Sequence, residues 1–295
     1  MTRISDKTEP PRQENQSSSK LRGKKALNCI AVASGKGGVG KTAFTVNLAI
    51  GFSRLGQRVL LADSDFGLAN ADIMLGVAPE YTLQDAVFNE IPLTDVVVST
   101  PYGVDLLAAS SGARDLLNLA EDRLQMMVEE LVRCAASYDI LLFDCGAGID
   151  NAVISVISSV PQTVIVATPQ PTSIVDAYAL LKIIDQENLV DRVNLALNMV
   201  RNEEEGTEAH DRLMSVIDAN LKTSVHYLGA IPQDDQMRKA IRARRPLLFT
   251  DPKNPAARQI SLMAKTLLQQ QSRTSRLEDL DVKGLLQAIL DEKSE

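Results

Sequence analysis

Gly35-Lys36-Gly37-Gly38-Val39-Gly40-Lys41-Thr42 stands directly after the apolar run Leu27–Ala33 and opens the helical pattern Lys41–Leu55. The stretch fits G-x-x-x-x-G-K-[ST], the loop that wraps nucleotide phosphates between a strand and a helix. Its glycines let the backbone fold tightly, so that successive N–H groups converge on phosphate oxygens. The start of the following helix adds positive potential at the same place. In this pattern Lys41 reaches the β- and γ-phosphates and the Thr42 hydroxyl ligates Mg²⁺. The expected nucleotide-binding stretch runs from Gly35 through Ala43.

Outward from this loop, short apolar runs alternate with longer helical patterns. The expected strands are Leu27–Ala33, Arg58–Ala62, Val104–Ala108, Asp139–Asp144, Thr163–Thr168, Val193–Met199 and Val225–Ile231. Between or after them lie helical stretches at Lys41–Leu55, Glu121–Ala135, Thr172–Glu187, Glu205–Leu221 and Asn254–Gln270, with Thr172 or Ser173 expected as an N-cap. Continuous runs such as Ile140-Leu141-Leu142-Phe143 suit strands covered on both faces. The alternation predicts an α/β fold, a mostly parallel sheet between two helical layers, in one domain over 26–270. In such sheets phosphate chemistry belongs at the carboxyl ends of the strands.

Two acidic stretches fall at that edge. Leu60-Leu61-Ala62-Asp63-Ser64-Asp65 ends the second strand with two carboxylates. Leu141-Leu142-Phe143-Asp144 is an apolar strand ending in Asp, the Walker B pattern, so Asp144 is expected to hold Mg²⁺ through water. Cys145-Gly146-Ala147-Gly148 then gives a glycine loop beside it.

Composition narrows the rest. Three cysteines without C-x-x-C spacing and two histidines oppose a disulfide scaffold, a cysteine-rich metal site and a multi-histidine centre. No apolar run approaches the roughly 20 residues of a membrane-spanning helix, and the first residues lack the apolar core of a secretory signal. The expected setting is the reducing cytosol. A net charge of −7 gives no global attraction to nucleic acid or anionic lipid. Residues 1–25, rich in Ser, Gln and Pro with seven basic against three acidic side chains, read as a disordered basic tail. At the other end, Leu277, Leu280, Leu285, Ile289 and Leu290 recur at near-helical spacing, so 271–295 reads as an amphipathic helix. Its four basic and six acidic residues predict docking on protein and at most weak membrane contact.

The second loop lysine, Lys36, makes K-G-G-V-G-K-T, which resembles the deviant Walker A motif of the MinD/ParA class of P-loop ATPases. The resemblance implies that Lys36 crosses the interface of an ATP-dependent homodimer and joins Lys41 in catalysis. It implies that Asp65 orients the attacking water, that Asp63 supports the magnesium site, and that Asn198 and Pro232 flank the adenine ring. ATP is favoured over GTP, because no N-K-x-D guanine reader follows the late strand. Members of the class usually carry a small polar residue or an acid where Cys145 stands.

Within the class, the stretches Gly67–Gly76, Tyr81–Asp85, Leu106–Gly112, Asn198–Asn202 and above all Pro171-Thr172-Ser173-Ile174-Val175-Asp176-Ala177-Tyr178-Ala179-Leu180 look like the FlhG (FleN or YlxH) branch, which limits flagellar number and position. That branch implies as partners an FlhF-like GTPase, flagellar switch or C-ring proteins, or a flagellar transcription regulator. Residues 1–25 lack the D-Q-A-x-x-L motif with which many members stimulate FlhF. Open beside this reading stand a MinD-like division-site or ParA-like cargo-positioning ATPase and a metabolic ATP-dependent ligase. Direct DNA binding is not expected, since Arg238, Lys239, Arg242, Arg244 and Arg245 read as a solvated helix face.

Overall fold

The computed structural model describes residues 27–65, 69–89, 91–108, 130–131 and 133–270. The expected N-terminal tail, C-terminal helix and most of the 121–135 helix lie outside them.

Eight strands form one sheet: β1 (Asn28–Ser34), β2 (Val59–Ser64), β3 (Val97–Ser99), β4 (Val104–Leu107), β5 (Ile140–Ala147), β6 (Gln162–Ala167), β7 (Arg192–Val200) and β8 (Val225–Pro232). Their order is β3-β4-β2-β5-β1-β6-β7-β8, and every pair is parallel except β3 with β4. β1 and β5 therefore lie at the centre, and the chain builds outward from them in both directions. A reversal of this kind leaves a crevice at the carboxyl ends of the central strands. The antiparallel strand β3 has no counterpart in the sequence reading. Three residues, Val97-Val98-Ser99, are too few for a two-residue period to register.

Strand parity sorts the sheet into two cores. Cys29, Ala31 and Ala33 of β1 and Leu141, Phe143 and Cys145 of β5 face one helical layer. That layer contains α5 (Asn151–Ser158), α6 (Pro171–Glu187) and α7 (Glu203–Asn220), whose Ile157, Leu180, Leu181 and Leu213 are buried against the strands. Ile30 and Val32 with Ile140 and Leu142 face the opposite layer. There α1 (Lys41–Arg54) and α10 (Pro255–Gln269) bring Phe44, Phe52, Ile260 and Met263. Successive strand side chains point to opposite faces, so Asp144 projects toward α1. That parity is what joins Walker B to the phosphate loop.

Short helices complete the rim: α2 (Ala71–Leu75), α3 (Leu83–Asn89), α4 (Leu93–Val96), α8 (Asp235–Arg242) and α9 (Leu247–Thr250). α6 starts differently from the sequence reading. Pro171 is its first helical residue and Gln170 occupies the N-cap without a side-chain bond. Ser173 Oγ instead accepts the Thr168 N–H at 2.9 Å, tying the helix to the end of β6. Proline, with no N–H to satisfy, suits that first position.

Candidate nucleotide-binding site

Between β1 and α1 the loop 35–40 is fixed by contacts that exclude side chains at two positions. A Cβ at Gly35 would lie 2.2 Å from the Asp176 carbonyl oxygen, because the loop rests on the α6 backbone. Gly40 has φ +83, and a Cβ there would lie 2.5 Å from Asn198 Nδ2. Gly37 and Gly38 have nothing within 4 Å of an added Cβ. That open side of the loop leaves room for phosphate oxygens. Val39 is buried, and Ser34 Oγ donates to the Lys36 carbonyl at 3.0 Å.

Lys41, Thr42 and Ala43 form the first turn of α1. Lys41 and Ala43 are buried and Thr42 is half-buried. Lys41 Nζ donates to Asp144 Oδ1 at 2.8 Å, and the Thr45 hydroxyl stands 2.8 Å from the same oxygen. Burial pulls the Lys41 pKa down, but the charge and hydrogen bond of Asp144, with a smaller contribution from Asp65, leave it above the ordinary lysine value. The ammonium therefore stays charged. Asp144 Oδ2 is buried and has no hydrogen-bond partner among the described residues.

Asp63 pairs with Asp144 across the β2–β5 ladder. Its Oδ1 accepts the Asp65 N–H at 3.1 Å; its Oδ2 accepts those of Asn70 and Ala71 at 2.9 and 3.0 Å. Burial and the neighbouring Asp144 push the Asp63 carboxyl up to about 6, against the pull of the three amides. Asp63 thus ties the end of β2 to the start of α2; residues 66–68 between them lie outside the described set. Asp65 follows β2 directly, close enough to Lys41 for its charge to act there.

Lys36 turns away from its own loop: Nζ donates to Thr172 Oγ1 at 3.1 Å, at the start of α6. At the far side, Asn198 Nδ2 donates to the Val39 carbonyl at 2.8 Å, and its Oδ1 accepts the Met199 N–H at 2.9 Å. Met199 is held at φ +59, an uncommon conformation for a side chain without a local polar cap. Pro232 is half-buried and pairs with Val200 of β7. Asn198 therefore braces the phosphate loop.

Two further residues escaped the motif reading. Thr45, four residues after Lys41, reaches Asp144 from the same helix face. Asn47 donates to the Ala43 carbonyl at 2.7 Å and accepts the Leu248 N–H at 2.7 Å, joining α1 to α9. An i, i+4 inspection of α1 would have found Thr45. Nothing local points to Leu248, which is 201 positions away. Cys145 is wholly buried, and burial pushes its thiol up to about 12, so it stays protonated and serves as packing.

The residues fit a magnesium-nucleotide. A carboxylate and a hydroxyl are hard oxygen ligands of the kind Mg²⁺ takes alongside phosphates and water. The bare Asp144 Oδ2 supplies a buried acceptor that such a cation or its water would satisfy.

The sequence model of the ParA family, described as NUBPL iron-transfer P-loop NTPase, matches residues 25–268. The chain belongs to the ParA/MinD family of P-loop ATPases. It is 36% identical over 231 residues to the antiactivator FleN of Pseudomonas aeruginosa, covering 78% of this chain and 82% of that protein. It is 34% identical to the flagellum site-determining protein YlxH of Helicobacter pylori, with 81% of each chain covered. Among solved structures, a MinC:MinD cell division protein complex from Aquifex aeolicus superposes with a TM-score of 0.67 at 26% identity, covering 84% of this chain and 99% of that one. The ParA/MinD fold agrees with the mostly parallel sheet and its two helical layers. No helix among the described residues is long and apolar enough to cross a membrane.

Proposed function

We propose that this ParA/MinD-type ATPase is an ATP-gated dimerising switch that sets flagellar number and placement, and that hydrolysis releases its partners. The observation that carries the reading is Lys36, a second loop lysine held at the exposed start of α6 and not turned into its own phosphate loop. A lysine so placed is available to the phosphates of a second copy. The flagellar assignment draws on the likeness to FleN and YlxH, and on the α6 stretch that resembles that branch.

In this reading Lys41 leaves Asp144 for the β- and γ-phosphates of ATP. Thr42 and Asp144 would hold Mg²⁺, with Asp63 supporting them by tying the end of β2 to the start of α2. Mg²⁺ supplies charge neutralisation on the phosphates. Asp65 orients the attacking water, while Lys36 from the second copy completes the charge around the transferred phosphoryl group. Asn198 and Pro232 flank the base. The partners are an FlhF-like GTPase, flagellar switch or C-ring proteins, or a flagellar transcription regulator. An iron-cluster carrier is disfavoured, because Cys29 and Cys145 are wholly buried and only half-buried Cys134 remains.

Light scattering of the purified protein with ATP tests the switch. Wild type should form a dimer, while Lys36→Ala should bind nucleotide and stay monomeric. An unchanged ATP dimer for that variant would sink the role of Lys36. In the parent bacterium, gene deletion should alter flagellar number or placement; misplaced septa with normal flagella would favour division-site positioning.

A further inference from the structure

Thr45 is wholly buried, one turn along α1 from Lys41. Its hydroxyl oxygen lies 2.9 Å from the Lys41 carbonyl and 2.8 Å from Asp144 Oδ1. Neither of those oxygens has a proton to give while Asp144 is ionised, so one hydroxyl proton faces two acceptors. Asp144 itself is loaded unevenly. Oδ1 takes Lys41 Nζ at 2.8 Å together with Thr45, whereas Oδ2 is buried with no partner among the described residues.

We infer that Thr45 is a positioning residue for the magnesium site, holding Asp144 Oδ1 when Lys41 turns to the phosphates. This rests on the magnesium-nucleotide reading proposed above. The carboxylate torsion of Asp is broad and roughly two-fold, so packing alone does not decide which oxygen faces the cation. While Lys41 neutralises Oδ1, the Thr45 proton has a second home in the carbonyl four residues back, a common bond for a helical threonine. Once Lys41 leaves, the proton is free to serve Oδ1 alone. The hydroxyl exchanges one acceptor for the other with no donor lost. Oδ2 then remains available to Mg²⁺ or to its water. Valine keeps the shape of threonine but removes this donor.

The test uses the full chain with Thr45→Val, Thr45→Ala and Thr45→Ser. A fluorescent ATP analogue is titrated in EDTA and then across a Mg²⁺ series, and free Mn²⁺ is counted by electron paramagnetic resonance at fixed nucleotide. Binding in EDTA should stay within about twofold of wild type in all variants, since each keeps Lys41 and the loop amides. Loss of a hydrogen bond to a charged group should raise the Mg²⁺ and Mn²⁺ half-saturation about tenfold in the Val and Ala variants. Ser should restore it to within about twofold of wild type, a rescue that loss of packing would not show. Should Val not fold, the Ala–Ser pair still differs by the hydroxyl alone. Wild-type metal dependence in Val or Ala, or a defect in Ser as large as in Ala, would overturn the role of Thr45. Wild-type nucleotide binding that ignores Mg²⁺ would overturn the magnesium reading as well.

Discussion

Lys36 and Lys41 stand five positions apart in one motif, yet the fold gives them different partners. Lys41 is buried on Asp144, while Lys36 lies over Thr172 at the start of α6. Asp65 follows β2 directly, and Asp63 accepts its backbone N–H. Asp65→Ala should therefore keep magnesium-nucleotide affinity within a few-fold, because Lys41, Asp144 and the loop amides remain. Turnover should fall by roughly two orders of magnitude, as expected when a positioning group for the nucleophile is lost. Single-turnover hydrolysis measured beside equilibrium binding checks this; wild-type turnover would move the role elsewhere. The phosphate loop and the acids at 63, 65 and 144 were legible because each sits in a short motif. The work Asp63 does was not legible. Three backbone amides, one just after β2 and two at the start of α2, reach its two oxygens from positions that no pattern of residue types marks.

At the scale of elements, α1 is held by more than its apolar face. Asn47 links it to the start of α9 through the buried Leu248 N–H. Asn47→Ala strands that donor, which should cost about 1–3 kcal/mol. For a domain of this size the melting temperature should fall by about 2–4 °C per kcal/mol. Thermal unfolding without nucleotide measures it, and an unchanged midpoint would show that another acceptor takes over. The central strands make a second prediction. Burial raises the thiols of Cys29, on β1, and Cys145, on β5, far above neutrality. A raised thiol pKa means the unreactive protonated form persists as pH rises from 7 to 9. Burial raises the half-buried Cys134 thiol as well, so exposure rather than ionisation sets it apart. In native protein, a thiol reagent across that range should label Cys134 alone, slowly, and all three after unfolding; rapid native labelling of Cys145 would contradict its burial. The central strands were readable from sequence because burial on both faces makes them continuous apolar runs. β3 and the start of α6 were not readable. The first is too short to show a period, and the second is set by the end of β6 and a proline in place of a capping hydroxyl.

Across the whole molecule, the site lies at the carboxyl edge of the sheet, whereas α10 ends at the opposite edge. There the Gln270 carbonyl accepts from Arg192 Nη1 and its side chain meets Gln162. The 25 residues that follow lie outside the described ones. Their acidic balance predicts weak attraction to anionic lipid. Sedimentation with anionic vesicles and ATP should show little bound protein, equal for the full chain and for one ended after Gln271. Strong binding that vanishes on truncation would assign the tail to the membrane. The seat of Gly35 on α6 reaches further. Only the absence of a side chain at Gly35 lets the loop lie on the Asp176 carbonyl, so the loop cannot shift further toward α6 without displacing that helix. A displacement of the loop toward α6 would therefore be felt along that helix. A protein that docked on α6 and favoured one loop position would change nucleotide affinity by some factor. Nucleotide would change the affinity for that protein by the same factor, since the two binding free energies share a single cycle.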